Sequence, residues 1–420
     1  RYLPDIHHTN EFFQCLDEWL HANMSGKSDE PSPTSTSPTL FELPASPMQN
    51  VINTALGGTT IEQIHSQMAS LIEEVSKPRS AGVSISIGES TTLADPSDEI
   101  PDGDLVIKKV GDLFTIPTKA RKSFAFDVPF LDWASPHPHV PTIDPDYQFD
   151  PVLLSRVLYS LVSNTRCWLH GHTGTGKSTL VEQVCARLQY PLRRVNFDSE
   201  ITRMDLIGRD VLTRDGDATV SKFEEGILPQ AMQTPCVLLC DEIDFVRPDV
   251  SYVAQRVLEA EGKLMLMEDG GRVVNAHPMF RIMATANTKG QGDEHGMYSG
   301  ARVQSMAFLE RFTSWAQVEY MSRDSRRKLL KAKVADLSDK ALGWIDQYVE
   351  EHCQAFIGSQ VMLPISPRGF LSLANSFMFF QATLEPEHAI REAFNMTILD
   401  RATEQDKVVL DGIAQRVFGV

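Results

Sequence analysis

The stretch GHTGTGKST, Gly171 to Thr179, decides how this 420-residue chain is to be read. It fits G-x-x-x-x-G-K-[ST] at every fixed position, with Gly171, Gly176, Lys177 and Ser178 in place. The apolar Cys167 to Leu169 before it reads as a short buried strand, and Leu180, Val181, Val184, Cys185 and Leu188 after it recur at helical spacing. Lying between strand and helix, the segment reads as a phosphate loop. Its glycines let successive backbone N–H groups curl around phosphates while the helix N-terminus adds positive dipole. Gly171, His172, Thr173, Gly174, Thr175, Gly176, Lys177, Ser178 and Thr179 are therefore expected around the phosphates of a bound nucleotide. Lys177 is expected to reach the β- and γ-phosphates and Ser178 to ligand Mg²⁺. An ordinary glycine-rich turn needs neither the lysine nor the hydroxyl.

Working outward, RRVNF (Arg193 to Phe197) reads as a second strand and VLLC (Val237 to Cys240) as a third, ending in Asp241 and Glu242. An all-apolar run followed by two carboxylates is how a buried parallel strand delivers acids to a ligand-binding sheet edge. Asp241 is expected in the Mg²⁺ shell and Glu242 as the group that polarises the attacking water, the two jobs phosphoryl transfer requires. RIMATAN, Arg281 to Asn287, brings the Asn287 amide to the same edge, where it can orient that water. Ser366 as N-cap and Pro367 at the first helical position put Arg368 on the opening turn of a helix, and Arg311 lies in AFLERFTSW.

Length predicts two or three domains, and 42% hydrophobic with 23% charged residues is ordinary for a globular protein. The formal net charge of −17 opposes non-specific binding to nucleic acid or to an anionic membrane, a local basic ring in a pore excepted. No apolar run approaches the ~20 residues a membrane helix needs. Cysteines 15, 167, 185, 236, 240 and 353 form no C-x-x-C pair and read as free core thiols of a reducing, cytoplasmic compartment. The chain starts at Arg1 rather than Met, so a missing beginning is expected.

Before the phosphate loop, FFQCLDEWL is a short amphipathic helix, SDEPSPTSTSPT a linker, and a helix from Thr59 precedes strand-like VSISI and DLVIKKV. His137 and His139 share a Pro-rich loop and read as surface histidines, since no third metal ligand is near. Tyr147 or Phe149 is expected to supply an apolar wall for the adenine. The expected organisation is an N-terminal helix (1–27), a linker (28–40), a small α+β module (41–123), a large α/β ATPase domain (124–321) and a helical lid (322–420).

The order phosphate loop, DE strand, ATAN, ERF and SPR is that of the AAA+ ATPases. From about Asp144 to Tyr320 the chain resembles the MoxR branch, most closely the CobS-type ATPase subunit of aerobic cobaltochelatase. IDPDYQFD, RVNFDSEITRMDLIGRD, FEEGILPQAM, DEIDFVRPDV, QRVLEAEGKLML and FLERF carry the likeness. The resemblance implies an α/β fold, an AAA+ P-loop core of parallel sheet flanked by helices, followed by a small helical lid. It implies Asn287 as first sensor, Arg368 as second sensor in cis, and Arg311 as the finger reaching the neighbouring subunit, with Arg302 as a weaker choice. It also implies hairpins at Asp215-Gly216 and Asp269-Gly270 that project toward a pore.

The reading that follows is a Mg²⁺- and ATP-dependent motor assembled as a homo-oligomeric ring, a hexamer by the resemblance. A von Willebrand A-type subunit and a large chelatase subunit are its implied partners, and cobalt insertion into a corrin precursor the implied work. The second reading is a MoxR-like remodelling ATPase of a viral or defence system acting on protein or nucleic acid. A nucleotide-sensing scaffold with little turnover is disfavoured, because Lys177, Asp241, Glu242, Asn287 and both arginines are all present.

Overall fold

A computed structural model describes residues 101–116, 124, 126–198, 200–215, 218–259, 262–293, 296–298 and 300–419. The N-terminal helix, the linker, the helix from Thr59 and the VSISI strand lie outside the described residues.

β1 (Gly103–Lys109) pairs antiparallel with β2 (Asp127–Trp133), Gly103 opposite Trp133 and Lys109 opposite Asp127. The one-turn helix α1 (Val110–Leu113) follows β1. A two-stranded ribbon cannot bury a face by itself. Val110, Phe114, Val128 and Leu131 accordingly join one core with α2 (Pro151–Val162) and the helix that follows the phosphate loop. The boundary expected after residue 123 thus falls between two paired strands that share the core of the ATPase domain. β2 is the segment DVPFLDW.

Next come β3 (Cys167–His170), α3 (Lys177–Leu188), β4 (Leu192–Asn196) and α4 (Arg203–Ile207). β5 (Gly208–Asp215) and β6 (Ala218–Glu225) form a hairpin with Asp215 opposite Ala218, and α5 (Ile227–Met232) leads into β7 (Val237–Asp241). α6 (Pro248–Leu258) precedes a second hairpin, β8 (Lys263–Leu266) with β9 (Arg272–Asn275). β10 (Arg281–Ala286), α7 (Met306–Leu309) and β11 (Ser314–Gln317) complete the large domain. The second hairpin turns through Asp269-Gly270 as the sequence expects, and the first pairs strands on either side of residues 216–217.

The central sheet has the order β11-β3-β10-β7-β4, and every pairing in it is parallel. β7 and β10 are buried along their whole length, as strands covered on both faces must be. Trp168 on β3 is fully buried, edge-on to Phe312 at 5.0 Å and stacked with Trp315 at 5.2 Å. Because the strands run the same way, His170, Asn196, Asp241 and Ala286 end at one edge, Asn196 opposite Asp241 and Ala286 opposite His170. That edge is where an open α/β sheet offers ligands a crevice.

The lid follows as α8 (Arg323–Lys333), α9 (Asp339–Ile357), α10 (Pro367–Phe380), α11 (Pro386–Thr397) and α12 (Glu404–Phe418), with a core of its own around Leu342, Ile345, Tyr348, Phe377, Phe394 and Phe418. Asp346 on α9 is fully buried and held by Arg326 at 2.7 Å and Arg323 at 2.9 Å. The cysteines at 167, 185, 236, 240 and 353 are free and buried. No helix among the described residues is long and apolar enough to cross a membrane. His137 corrects the expectation of a surface histidine. It is buried, its ring 4.5 Å from that of Trp133, and its Nδ1 accepts from the His139 N–H at 3.1 Å. Burial, with His139 and Arg193 nearby, lowers its pKa to about 4.

Candidate nucleotide-binding site

The phosphate loop runs from the end of β3 into α3, with Gly171, Gly174 and Gly176 all at positive φ. Two of these glycines are also required by space. A Cβ on Gly171 would run into the Val318 carbonyl, and one on Gly174 would stand 2.8 Å from the Cβ of Ser366. Ser366 is the N-cap of α10, accepting from the Gly369 N–H at 3.3 Å with proline in the first turn, as its sequence suggested. Loop and lid therefore touch where Arg368 begins its helix.

Lys177 is buried at the start of α3, and its Nζ donates to Gly171 O at 2.7 Å, His172 O at 3.0 Å and Asn287 Oδ1 at 3.0 Å. Burial lowers its pKa to about 8, against the opposing pull of Asp244, Asp241 and Glu242. Ser178 Oγ donates to Asp241 Oδ1 at 2.7 Å. A hydroxyl and a carboxylate oxygen meeting at a phosphate loop are the hard donors Mg²⁺ takes, and so few protein ligands suit an ion that keeps water and substrate phosphate in its shell. No group of three or more His, Cys, Asp or Glu able to hold a metal occurs among the described residues.

Asp241 is further held by the Thr285 hydroxyl from β10 and by the Arg194 guanidinium from β4, which also reaches Glu182 at 3.1 Å. Thr285 Oγ1 in turn accepts from the Glu242 N–H at 3.2 Å. Glu242 adopts a left-handed backbone with φ 57° just past the end of β7, and the residue is exposed while its carboxyl is part-buried. Loss of hydration, with Asp241 and Asp244 close by, holds that carboxyl above the usual range.

Asn287 stands just past β10, its Oδ1 shared between Lys177 Nζ and Thr173 Oγ1, the latter at 3.2 Å. Thr175 Oγ1 donates to His172 O at 2.9 Å, and Thr179 is exposed on the first turn of α3. His172 lies 2.8 Å from the Tyr298 hydroxyl and parallel to the Tyr320 ring at 6.1 Å, with Phe356 of the lid edge-on at 5.5 Å. Tyr320 donates to Thr173 O at 3.2 Å, so aromatic groups from outside the loop brace its first half.

Lys177, Ser178, Asp241, Glu242 and Asn287 are thus gathered at one sheet edge, and Arg368 is carried toward it by the Gly174–Ser366 contact. Arg368 is exposed and makes no hydrogen bond or ion pair among the described residues. Arg311 belongs elsewhere in the subunit, donating to Ala307 O and to Glu259 at 3.3 Å. Arg302 is exposed, its N–H donating to Asp244 O at 2.8 Å. Phe149 is a core residue, packed on Phe114 at 5.2 Å and beneath Arg187 at 4.7 Å; Tyr147 beside it is half-buried. Sequence reasoning missed Thr285, Arg194, Asp244, Tyr298 and Tyr320. Thr285 had a signal, as the one hydroxyl inside an otherwise apolar run.

A family model described as AAA domain (dynein-related subfamily) matches residues 167–312. The aerobic cobaltochelatase subunit CobS of Sinorhizobium sp is 37% identical over 286 residues, 67% of this chain and 84% of that protein. Protein CbbQ of Hydrogenophilus thermoluteolus is 31% identical over 119 residues, 28% of this chain and 43% of its own length. Among solved structures, the Thermotoga maritima RuvB Holliday junction branch migration motor covers 64% of this chain and 74% of its own, at 11% identity and a TM-score of 0.41, a likeness too slight to add to the argument.

Proposed function

Because the chain belongs to the CobS-like group of MoxR-type AAA+ ATPases, we propose that it is a Mg²⁺-dependent, ring-forming motor whose ATP hydrolysis drives cobalt insertion into a corrin precursor by a partner complex. One observation carries the hydrolytic part of this reading: Lys177 lies 3.0 Å from Asn287 while Ser178 lies 2.7 Å from Asp241, so phosphate loop, acids and sensor amide meet at one edge.

In this reading the loop amides and the Lys177 ammonium bind the β- and γ-phosphates. Ser178 and Asp241 hold Mg²⁺, which when bound neutralises charge on the phosphates. Glu242, exposed just past the end of β7, takes the proton of the attacking water, a task its raised pKa favours. Asn287 orients that water. Arg368 acts from the lid in cis, and Arg311 serves the adjacent subunit's site, with Arg302 as the second choice. A von Willebrand A-type subunit and a large chelatase subunit are the proposed partners, in keeping with CobS being one subunit of an aerobic cobaltochelatase.

A second reading, a MoxR-like remodelling ATPase of another system, is supported by the part of the chain that the 67% alignment with CobS leaves over. One experiment tests both. Glu242→Gln is expected to bind ATP as the unmodified protein does, to hydrolyse it at least ~10²-fold more slowly, and to hold its partners through a purification in ATP. Retention of the two chelatase subunits supports the first reading and retention of an unrelated complex the second. Turnover unchanged by Glu242→Gln would refute the assignment of the base.

A further inference from the structure

Asp244 is fully buried, in the 3-10 turn Ile243–Phe245 that follows Glu242. Its Oδ2 accepts three hydrogen bonds, from the Asn287 N–H at 2.9 Å, the Thr288 N–H at 2.9 Å and the Thr288 hydroxyl at 3.0 Å. Its Oδ1 is buried with no hydrogen-bond partner. A carboxylate shut away from water with one oxygen unsatisfied is an expensive way to cap a turn, and a neutral side chain would do that at lower cost. What the carboxylate gains is a grip on two successive amides at the point where β10 ends and the Asn287 side chain departs toward Lys177 and Thr173. The backbone of the same residue holds the next segment, its carbonyl accepting from the Arg302 N–H at 2.8 Å.

We propose that Asp244 is a positioning residue for Asn287: it fixes the backbone from which the amide reaches Lys177, and so sets the rate of turnover rather than the affinity for nucleotide. The inference rests on the hydrolytic reading given above. Asp244 makes no hydrogen bond to the loop; its charge also acts on Lys177 and Glu242, and Asp244→Asn, which removes the charge but keeps the acceptor, separates that route from the one through Asn287. A residue that served stability alone would change turnover only through the fraction of folded protein.

The test is a double-mutant cycle on the full chain, with steady-state ATPase rates and the Kd of a fluorescent ATP analogue. Asn287→Ala is expected to lower kcat roughly 10²-fold, as loss of one preorganised polar group near a reacting phosphoryl does. Asp244→Ala should cost about 30-fold or more in kcat, with Kd changed less than about threefold. The double variant should be no slower than about threefold below Asn287→Ala alone, because two residues acting as one unit are not additive. Asp244→Asn, whose carbonyl can still accept from both amides, should recover most of the Asp244→Ala loss. Should Asp244→Ala not fold, Thr288→Val removes one of the three bonds and should repeat the pattern with a loss of about three- to tenfold in kcat, again non-additive with Asn287→Ala. Losses that multiply, or a Kd that weakens in step with kcat, overturn the assignment. Unmodified protein that fails to hydrolyse ATP would instead refute the functional reading beneath it.

Discussion

The state of Lys177 gives the sharpest prediction. Its ammonium is buried against three oxygens, two of them loop carbonyls, and its pKa is lowered to about 8. Phosphate binding needs the charged form, and a bound polyphosphate would hold the proton, so affinity must fall as the free protein loses it. The sign is fixed: below pH 8 the cation dominates and affinity is flat, and above it each pH unit removes charge from the free state. At pH 9 about one molecule in eleven is still protonated, so Kd should rise about tenfold, or about 1.4 kcal/mol, and at pH 9.5 about thirtyfold. The assay is titration with a fluorescent ATP analogue in EDTA between pH 7.5 and 9.5, where the γ-phosphate is already ionised. Lys177→Arg, whose guanidinium keeps its charge throughout, serves as the control, weaker in binding but flat with pH. A Kd for the unmodified protein that stays within twofold across this range would refute the reasoning, because the lysine would then not be desolvated as its surroundings require.

Arg311→Ala should cut turnover roughly 10³-fold with little change in nucleotide affinity, and mixing it with Lys177→Ala subunits should restore part of the activity; co-assembled rings no more active than either parent would shift the role to Arg302. Gly174→Ala should weaken ATP binding about tenfold or more, since φ is +81° and the new methyl would meet Ser366, and unaltered affinity would show that the lid yields freely. Asp346→Ala, by leaving the buried Arg326 with Glu350 as its one remaining acidic partner among the described residues, should lower lid stability by about 3 kcal/mol in urea unfolding. Burial pushes the Asp346 carboxyl up, but hydrogen bonds from Arg326 and Arg323 hold it net below the usual range. The contribution is therefore present above the unfolded pKa and lost as pH falls through the folded one, and a urea midpoint indifferent to acid would contradict this.

Much of the large domain was legible because its signals are local. A phosphate loop announces the strand before it and the helix after it, and β7 and β10 are short runs that only a doubly covered sheet makes so apolar. What stayed hidden depends on neighbours distant in sequence. Arg194 reads as one basic residue in a strand until β4 is laid beside β7, which brings it to Asp241. Asp244 reads as another acid after the strand until β10 supplies two amides to it. His137 looked like a loop histidine because proline surrounds it, and proline content does not report that Trp133 covers the ring. The β1–β2 ribbon was divided in the sequence reading because its strands are separated by a stretch with no apolar alternation, and only their shared burial unites them.

The threonine inside β10 has a further consequence. Thr285 stands between Ala284 and Ala286, and its hydroxyl alone joins the tip of β10 to the Asp241 carboxylate and the Glu242 amide. A strand displaced by one residue would bring an alanine to that place and turn the hydroxyl to the opposite face. The aliphatic side chains around it would tolerate such an error far better than the acids would. A chain folded with β10 out of step would forfeit both bonds, and with them the tie between β10 and the acids after β7.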